Sequence, residues 1–316
     1  MFAAVWPVAL GTLLIACVHP KPTTETESSA IASNPVEEEY LKLLAQDDDA
    51  QTDADRWIRE AGAFDSAGAG GSRETLIARI DARFDQIRKD YNRFLERHPN
   101  HARARLAFGS FLNETRDESG AVTQWERALE IDPTNPAAWN NLANHYGHRG
   151  PVKKAFEYYE RAIELDPGEA TYLQNLATTT YLFRKDAREH YGITEQEVFD
   201  RALELYRRAM ALDPENFPLA TDYAQTFYGI RPLRTEEALH AWNQALKLAH
   251  DQIERDGIHL HIARIQLLSG DLEQARSHLG IVTNQMYQTL KERLTRNLQE
   301  KATNSIPTGV PGTATN

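Results

Sequence analysis

The sequence has a single cysteine, Cys17, among its 316 residues. One cysteine cannot form a disulfide within the chain, so this thiol needs another role. Basic residues are also in the minority, because 35 Lys and Arg stand against 46 Asp and Glu and give a formal net charge of -11. Duplex binding requires clustered Lys and Arg that replace counterions. The charge balance therefore argues against nucleic acid as the main partner.

Short catalytic motifs are absent too. The sequence contains neither a Gly-x-Ser-x-Gly nucleophile elbow nor a His-Glu-x-x-His metal motif. The Gly-rich stretch 62–72 lacks the Gly-Lys-Ser/Thr ending that grips phosphate. The acidic run 47–49 lacks EF-hand spacing and is interpreted as a solvated turn between two short helices. We therefore expect no enzymatic activity and no cofactor.

Four histidines are candidate metal ligands. His145 and His148 are one helical turn apart and could face one ligand, but no third ligand is evident near them. His259 and His261 point to different sides of a helix, so they cannot easily share an ion. The sequence thus predicts no metal site.

The clearest pattern lies in residues 136–167. Apolar residues recur there at helical spacing over two short segments, which Gly147 and Gly150 separate, and the second segment stops at Asp166-Pro167. Small residues at positions 143, 155 and 162 would allow two helices to approach closely. We predict a helix hairpin that cannot bury its apolar face alone.

This hairpin resembles the tetratricopeptide repeat (TPR) family, whose pattern recurs about every 34 residues. The matching residues are Trp139, Leu142, Ala143, Tyr146, Ala155, Tyr159, Ala162 and Pro167. Pro99 and Pro133 precede Pro167 at intervals of one period. The resemblance implies an all-α, right-handed solenoid of antiparallel helix pairs, in which each repeat contacts only its neighbours.

The resemblance extends over about residues 85–282 and divides this part of the chain. The predicted segments are a half repeat at 73–101 and repeats at 102–135, 136–169, 170–216, 217–250 and, in degenerate form, 251–282. Arg105 replaces the usual Trp in the first complete copy, so its first helix should pack less bulk. The third copy carries an insertion at 184–196 that could lengthen both helices or form a loop between them, and we expect the loop. Thr194 and Glu197 fit a capping box for the helix after it.

An amphipathic helix at 283–302 should cap the array, with a polar outer face as solenoid ends require. Its predicted apolar stripe is Met286, Leu290, Leu294 and Leu298. Residues 303–316 hold Gly, Pro, Thr and Asn and are expected to form a loose tail.

The start of the chain is apolar and has no charged side chain before Lys21. The run is too short for a comfortable transmembrane helix. It ends at Leu14-Ile15-Ala16-Cys17, which resembles the lipobox of bacterial lipoproteins. The resemblance implies a signal peptide at 1–16, cleavage before Cys17 and acylation of Cys17, against the alternative of a short uncleaved anchor. Residues 17–36 would be a disordered tether, followed at 37–72 by short helices and a Gly-rich linker.

This interpretation predicts a protein anchored by lipid to the bacterial cell envelope and facing the periplasm. Val18 follows the cysteine. Lack of Asp there favours the outer over the inner membrane, by resemblance to enterobacterial sorting.

In TPR arrays the first helices of the pairs line a concave face that receives peptides. The resemblance places a peptide-binding groove on Arg103, Ser110, Asn140, Asn144, Gln174, Thr178, Thr221, Gln225 and Arg264, together with Leu106 and Leu260. Most of these side chains can donate and accept hydrogen bonds, which suits an extended peptide. The alternative is that they merely solvate the surface. Asn140 and Asn144 are similar to part of the carboxylate clamp of chaperone-binding TPR adaptors, but the following helix lacks the clamp's Lys and Arg.

The sequence therefore predicts a non-enzymatic adaptor that binds a partner protein or peptide and is tethered to an envelope membrane. Two alternatives remain open. One is a structural protein that self-associates through the stripe at 286–298 or through an exposed end repeat, and the other is an accessory subunit of an envelope enzyme that uses the histidines and the insertion. The oligomeric state is not predicted.

Overall fold

A computed structural model describes residues 34–66 and 73–304. Within these ranges no β-strand occurs, so the predicted all-α class is confirmed. The helices are α1 (Pro35–Ser66), α2 (Arg73–Arg97), α3 (Ala102–Glu114), α4 (Glu118–Ile131), α5 (Pro136–Arg149), α6 (Val152–Leu165), α7 (Ala170–Leu182), α8 (Arg184–Tyr191), α9 (Glu195–Leu212), α10 (Phe217–Thr226), α11 (Thr235–Leu248), α12 (Gln252–Ser269), α13 (Leu272–Ile281) and α14 (Gln288–Asn304). Short 3₁₀ turns occur at Phe227–Gly229 and Gln285–Tyr287.

Several predicted segments lie outside the described residues. They are the signal peptide 1–16, Cys17, most of the tether, part of the Gly-rich linker and the tail from 305 onward. In the part of the chain that the structure covers, no helix combines the length and the apolar character needed to cross a membrane.

The described residues form two compact units, which divide between Asn175 and Leu176. In the first unit, polar side chains fix where helices begin. The Asn135 side chain accepts the N–H of Ala138 over 3.1 Å, and Pro136 occupies the first turn of α5. Asp117 caps α4 in the same way through Gly120. These caps satisfy amide groups that have no partner within their own helix.

Helix α1 corrects the prediction of two short helices at 37–61. It runs unbroken from Pro35 to Ser66. Asp47, expected in a turn, is buried instead, and its carboxylate accepts a hydrogen bond of 2.7 Å from the Tyr91 hydroxyl of α2. This buried partner allows an acidic residue to sit within a packed helix.

Helices α1 and α2 form a complete antiparallel pair in place of the predicted half repeat. Glu39, near the start of α1, pairs with Arg97 at the end of α2. Asp53, further along α1, pairs with Arg83, which lies nearer the start of α2. Aromatic contacts join this pair to the next helix, because the ring of Tyr91 stacks on that of Phe108 at 4.9 Å. The apolar core of the first unit thus begins at α1.

In the second unit, the insertion at 184–196 contains a helix rather than only a loop. Helix α8 is anchored by Ala187, which is fully buried, and Gly192 ends it in a left-handed conformation. The predicted capping box at Thr194 and Glu197 is confirmed, with both reciprocal contacts present at the start of α9. The insertion therefore adds one short helix between the two helices of a pair.

The last helix begins at Gln288 and not at 283, because residues before it are held in another way. The Asp256 carboxylate accepts the backbone N–H groups of Thr283 and Asn284 over 2.8 and 2.7 Å. Leu294 and Leu298 are buried in the apolar cluster of α12 and α13, as predicted. Met286 is 70% exposed and does not belong to the buried stripe, which corrects its assignment.

Candidate interaction surface on the first helices

Helices α1, α3, α5, α7, α10 and α12 are here named the first helices, since each opens a helix pair. The predicted groove residues lie on five of them. Several of these residues in the first unit are engaged in contacts within the protein, and each contact limits what the side chain can offer a partner.

Ser110 and Asn140 belong to a buried chain of hydrogen bonds that joins successive first helices. The Nδ2 group of Asn175 donates to Oδ1 of Asn140 over 3.0 Å, and Nδ2 of Asn140 donates to Oδ1 of Asn141 over 3.3 Å. Nδ2 of Asn141 then donates to the Ser110 hydroxyl over 3.3 Å, and this hydroxyl donates to the Leu106 carbonyl. Both predicted groove residues are therefore used to hold helices together.

Arg103 is occupied by helix α1. Its guanidinium forms an ion pair with Glu37 and lies 5.0 Å from the ring centroid of Tyr40. The Tyr40 hydroxyl also donates to the Arg103 carbonyl over 3.3 Å. Leu106, the next predicted groove position, is buried. The groove predicted to open at Arg103 and Leu106 is thus covered by a helix that the sequence did not place there.

A cleft of about 610 Å³ lies between α1 and α3. Asp47, Asp48, Gln51 and Glu114 line its polar side, and Nε2 of Gln51 donates to Glu114 over 3.0 Å. Burial and the neighbouring Asp47 carboxylate raise the pKa of Glu114 to about 7. This part of the first-helix surface therefore carries a carboxyl group that titrates near neutral pH.

Asn144 differs from the other predicted residues of the first unit. Its Oδ1 accepts a hydrogen bond of 2.5 Å from the Tyr159 hydroxyl, which fixes the orientation of the carboxamide. Its Nδ2 is buried and has no acceptor among the described residues. A buried donor without a partner is uncommon in folded proteins. Gln174, which lies on the next first helix, α7, is half-buried.

The predicted residues of the second unit are mostly half-buried. The Thr178 hydroxyl lies 2.7 Å from that of Tyr206, and the Thr221 hydroxyl donates to the Pro218 carbonyl over 2.7 Å. Arg264 places its guanidinium 4.3 Å from the ring centroid of Tyr228. Gln225 is half-buried on α10. Leu260 is buried and does not line an open surface.

The histidines fall into separate environments. His145 is half-buried, which lowers its pKa, whereas His148 is exposed. His261 stacks on Trp242 at 4.1 Å, while His259 faces His278 on α13, so the two face different partners as their spacing predicts. In residues 34–66 and 73–304, no group of three or more His, Cys, Asp or Glu is placed to hold a metal ion.

Two protein-family models match the central helices of the chain. Residues 119–150 match a model described as TPR repeat, and residues 136–169 match a model described as tetratricopeptide repeat. TPR repeats are therefore found in residues 119–169. Together the two matches cover α4 to α6, the part in which the spacing of the sequence pattern is most regular.

Solved structures show the same TPR-type fold over more of the chain. The chain is 16% identical to PilF from Pseudomonas aeruginosa, with a TM-score of 0.51, covering 82% of this chain and 99% of that one. It is 14% identical to PilW, entitled a type IV pilus biogenesis factor, with a TM-score of 0.50 and coverage of 78% and 97%. It is 15% identical to YrrB, entitled a TPR protein with an unusual peptide-binding site, with a TM-score of 0.50 and coverage of 65% and 97%. No curated protein sequence matches this chain.

Some residues of this surface were missed by sequence reasoning. Asn141 and Asn175 complete the buried polar chain, and Glu37 and Tyr40 cover Arg103. The recurrence of Asn175 one period after Asn141 was a usable signal for the polar chain, because equivalent positions of successive repeats lie side by side. The sequence predicted short helices in the region of α1, but nothing in it indicated that this helix packs against Arg103.

Proposed function

We propose that this protein is a non-enzymatic scaffold that binds an extended segment of a partner protein along first helices within one of its two units. The observation that carries the proposal is the Asn144 carboxamide, which Tyr159 orients and whose Nδ2 donor has no acceptor among the described residues. Leaving such a donor unpaired costs about 1–3 kcal/mol. A backbone carbonyl of a bound segment would remove this cost once the side chains that cover Nδ2 move aside.

The remaining surface supports the same proposal. Gln174 and Gln225 are half-buried amides on first helices of the first and second unit, respectively. Amides offer both a donor and an acceptor, which matches the alternating groups of an extended backbone. Ser110, Asn140 and Arg103 are excluded from the proposed contacts, because they already bind neighbouring helices.

Similar folds give this proposal a context without fixing a partner. YrrB is entitled a TPR protein with a peptide-binding site, and PilW is entitled a pilus biogenesis factor. Both likenesses concern the fold. The self-association alternative is weakened, since Leu294 and Leu298 of the predicted stripe are buried within the second unit.

We further propose that a lipid on Cys17 holds the scaffold at a bacterial envelope membrane, facing the periplasm, with the outer membrane favoured. The support is the sequence Leu14-Ile15-Ala16-Cys17 at the end of an apolar run. Lipidation would also give the single cysteine a role. Several acyl chains are sufficient for stable anchoring without a spanning helix.

Site-specific photocrosslinking in cells tests the binding proposal. A crosslinking residue would replace Gln174 or Gln225 on first helices, and, as matched controls, Arg161 on α6 or Arg208 on α9, both exposed on second helices. We expect one partner to be labelled from the first-helix positions and not from the controls. Equal labelling from both sets would contradict the proposal.

Membrane fractionation with Cys17→Ala tests the anchor separately. Wild-type protein should start at an acylated Cys17 and sediment with membranes, and the variant should leave them. A mature wild-type chain that starts at Met1 in the cytoplasm would disprove lipidation. It would leave the crosslinking result unaffected.

A further inference from the structure

Two histidines on adjacent helices of the second unit face each other through the same ring atom. Nδ1 of His259 on α12 lies 2.9 Å from Nδ1 of His278 on α13, and the ring centroids are 5.1 Å apart. In the neutral pair one Nδ1 carries a proton and donates a hydrogen bond, and the other Nδ1 accepts this hydrogen bond. Both rings are half-buried, so one side of the pair remains open to solvent.

The helices that carry the pair are fixed relative to each other. Ala263, Ala275 and Leu279 pack in one buried cluster between α12 and α13. Asp256, one turn before His259, binds the backbone after α13 through Thr283 and Asn284. The two imidazoles are therefore brought together by the packed fold and need no partner to assemble.

The separation of the two nitrogens matches one coordination geometry better than another. Metal–imidazole bonds are about 2.0–2.1 Å long, so two nitrogens that subtend a right angle at the ion lie about 2.9 Å apart, and at a tetrahedral angle about 3.4 Å. The observed 2.9 Å is an ordinary hydrogen-bond length, and two nitrogens at this separation can bind one ion at a right angle without moving apart. Square-planar and tetragonal coordination by nitrogen and oxygen ligands is typical of Cu²⁺ and Ni²⁺.

The protonation state supports the same reading. Burial lowers the pKa of His259, against the opposing effect of Asp256, and burial also lowers the pKa of His278, with His259 adding to the shift. Both shifts favour the neutral imidazole. Neutral imidazole is the form that ligates metals.

We propose that His259 and His278 form a two-histidine site for a divalent transition metal ion of tetragonal preference, Cu²⁺ or Ni²⁺, bound through both Nδ1 atoms. The ion replaces the hydrogen bond between the rings. The proton on the donating Nδ1 moves to Nε2 of the same ring, so that both rings carry their proton on Nε2. Water completes the coordination on the open side. This site is separate from the first-helix groove proposed above and does not depend on it.

Copper titration of the full-length protein tests the site. Cu²⁺ would be added against glycine as a competing chelator, with the affinity and the number of coordinated nitrogens read by electron paramagnetic resonance. His259→Gln and His278→Gln should each weaken the binding by about 10- to 100-fold, a range seen when groups supporting a metal site are removed. His250→Gln is the matched control, since His250 is exposed and near the start of the same helix.

A second measurement keeps the proposal testable if a variant fails to fold. In wild-type protein, Cu²⁺ should protect His259 and His278, but not His250, from a histidine-specific acylating reagent detected by mass spectrometry. Equal Cu²⁺ affinity in the wild type and both folded variants would overturn the site. So would an absence of selective protection.

Discussion

Arg105 and Trp139 make the same hydrogen bond at equivalent places in successive helix pairs. Nε of Arg105 donates to the Pro99 carbonyl over 2.9 Å, and Nε1 of Trp139 donates to the Pro133 carbonyl over 2.9 Å. The arginine was expected only to reduce the bulk of its helix. It instead retains the polar contact that the tryptophan makes to the preceding turn.

Two replacements of Arg105 should distinguish the effect of this hydrogen bond from the effect of side-chain volume. Arg105→Ala removes the hydrogen bond to Pro99 and a second one of 2.9 Å to Gln124, so we expect a loss of about 1–2 kcal/mol in the free energy of unfolding. Arg105→Trp should lose less, because an indole can restore the bond to Pro99. Urea unfolding measures both. Arg296→Ala, at an exposed position of α14, should be neutral; a wild-type stability for Arg105→Ala would refute the role.

The buried polar chain predicts a cost for Asn140→Ala. The substitution leaves the Nδ2 of Asn175 and the Oδ1 of Asn141 without their bonds to Asn140, so unfolding should become easier by about 1–3 kcal/mol. Asn243→Ala is the control, because Asn243 is exposed and bonds only within its own helix. Chemical denaturation would compare them. Equal effects would show that the chain contributes no more than a surface amide.

Gly109 predicts a steric effect of a single methyl group. A Cβ atom added there would lie 2.4 Å from Nε1 of Trp125, so Gly109→Ala requires the packed indole to move. We expect a destabilisation of about 1–3 kcal/mol, as for other overpacked cores. Gly280→Ala, where a Cβ meets nothing within 4 Å, should instead stabilise its helix slightly. Thermal unfolding of both variants checks the opposite signs.

His261 predicts sensitivity to acid. Burial lowers its pKa to about 3, whereas an unfolded histidine titrates near 6.5. The unfolded chain therefore binds more protons below about pH 6.5, and stability from this residue is lost as the pH falls from there towards 3. His261→Phe keeps a ring that can stack on Trp242 and cannot be protonated, so its stability should fall less between pH 7 and pH 4.

The control for this pH series is His240→Gln, since His240 is exposed. It should follow the wild-type pH dependence. His261→Phe also loses the contact with the Tyr228 hydroxyl. A difference in the free energy of unfolding that is the same at every pH reflects this loss and does not change the slope of stability against pH. Parallel curves for wild type and His261→Phe would show that His261 does not cause the acid sensitivity.

The helix pairs could be predicted from the sequence because their pattern is local. Residues 136–167 place small and aromatic side chains at helical spacing, and the prolines mark the pair ends. The capping box at Thr194 was equally local, since Glu197 lies within the same turn. Helix α1 was not, because the acidic run at 47–49 looks like a turn until Tyr91 is seen to bind Asp47.

The surface residues were harder to predict because their environment depends on contacts between helices. Helical spacing places Ser110 and Asn140 on an inward side, but it cannot tell whether a neighbouring amide already occupies them. Nor could spacing find His278, whose partner His259 lies on another helix. Contacts between helices decide which polar groups remain available.

The Asp256 carboxylate has a practical consequence for shortening this protein. It binds the backbone N–H groups of Thr283 and Asn284, beyond the last complete helix pair. A chain cut at residue 282 would keep a buried carboxylate without these two donors and would uncover the apolar cluster that Leu294 and Leu298 now cover. Helix α14 is therefore part of the smallest stable fragment of the second unit, and truncations designed on repeat boundaries alone should aggregate.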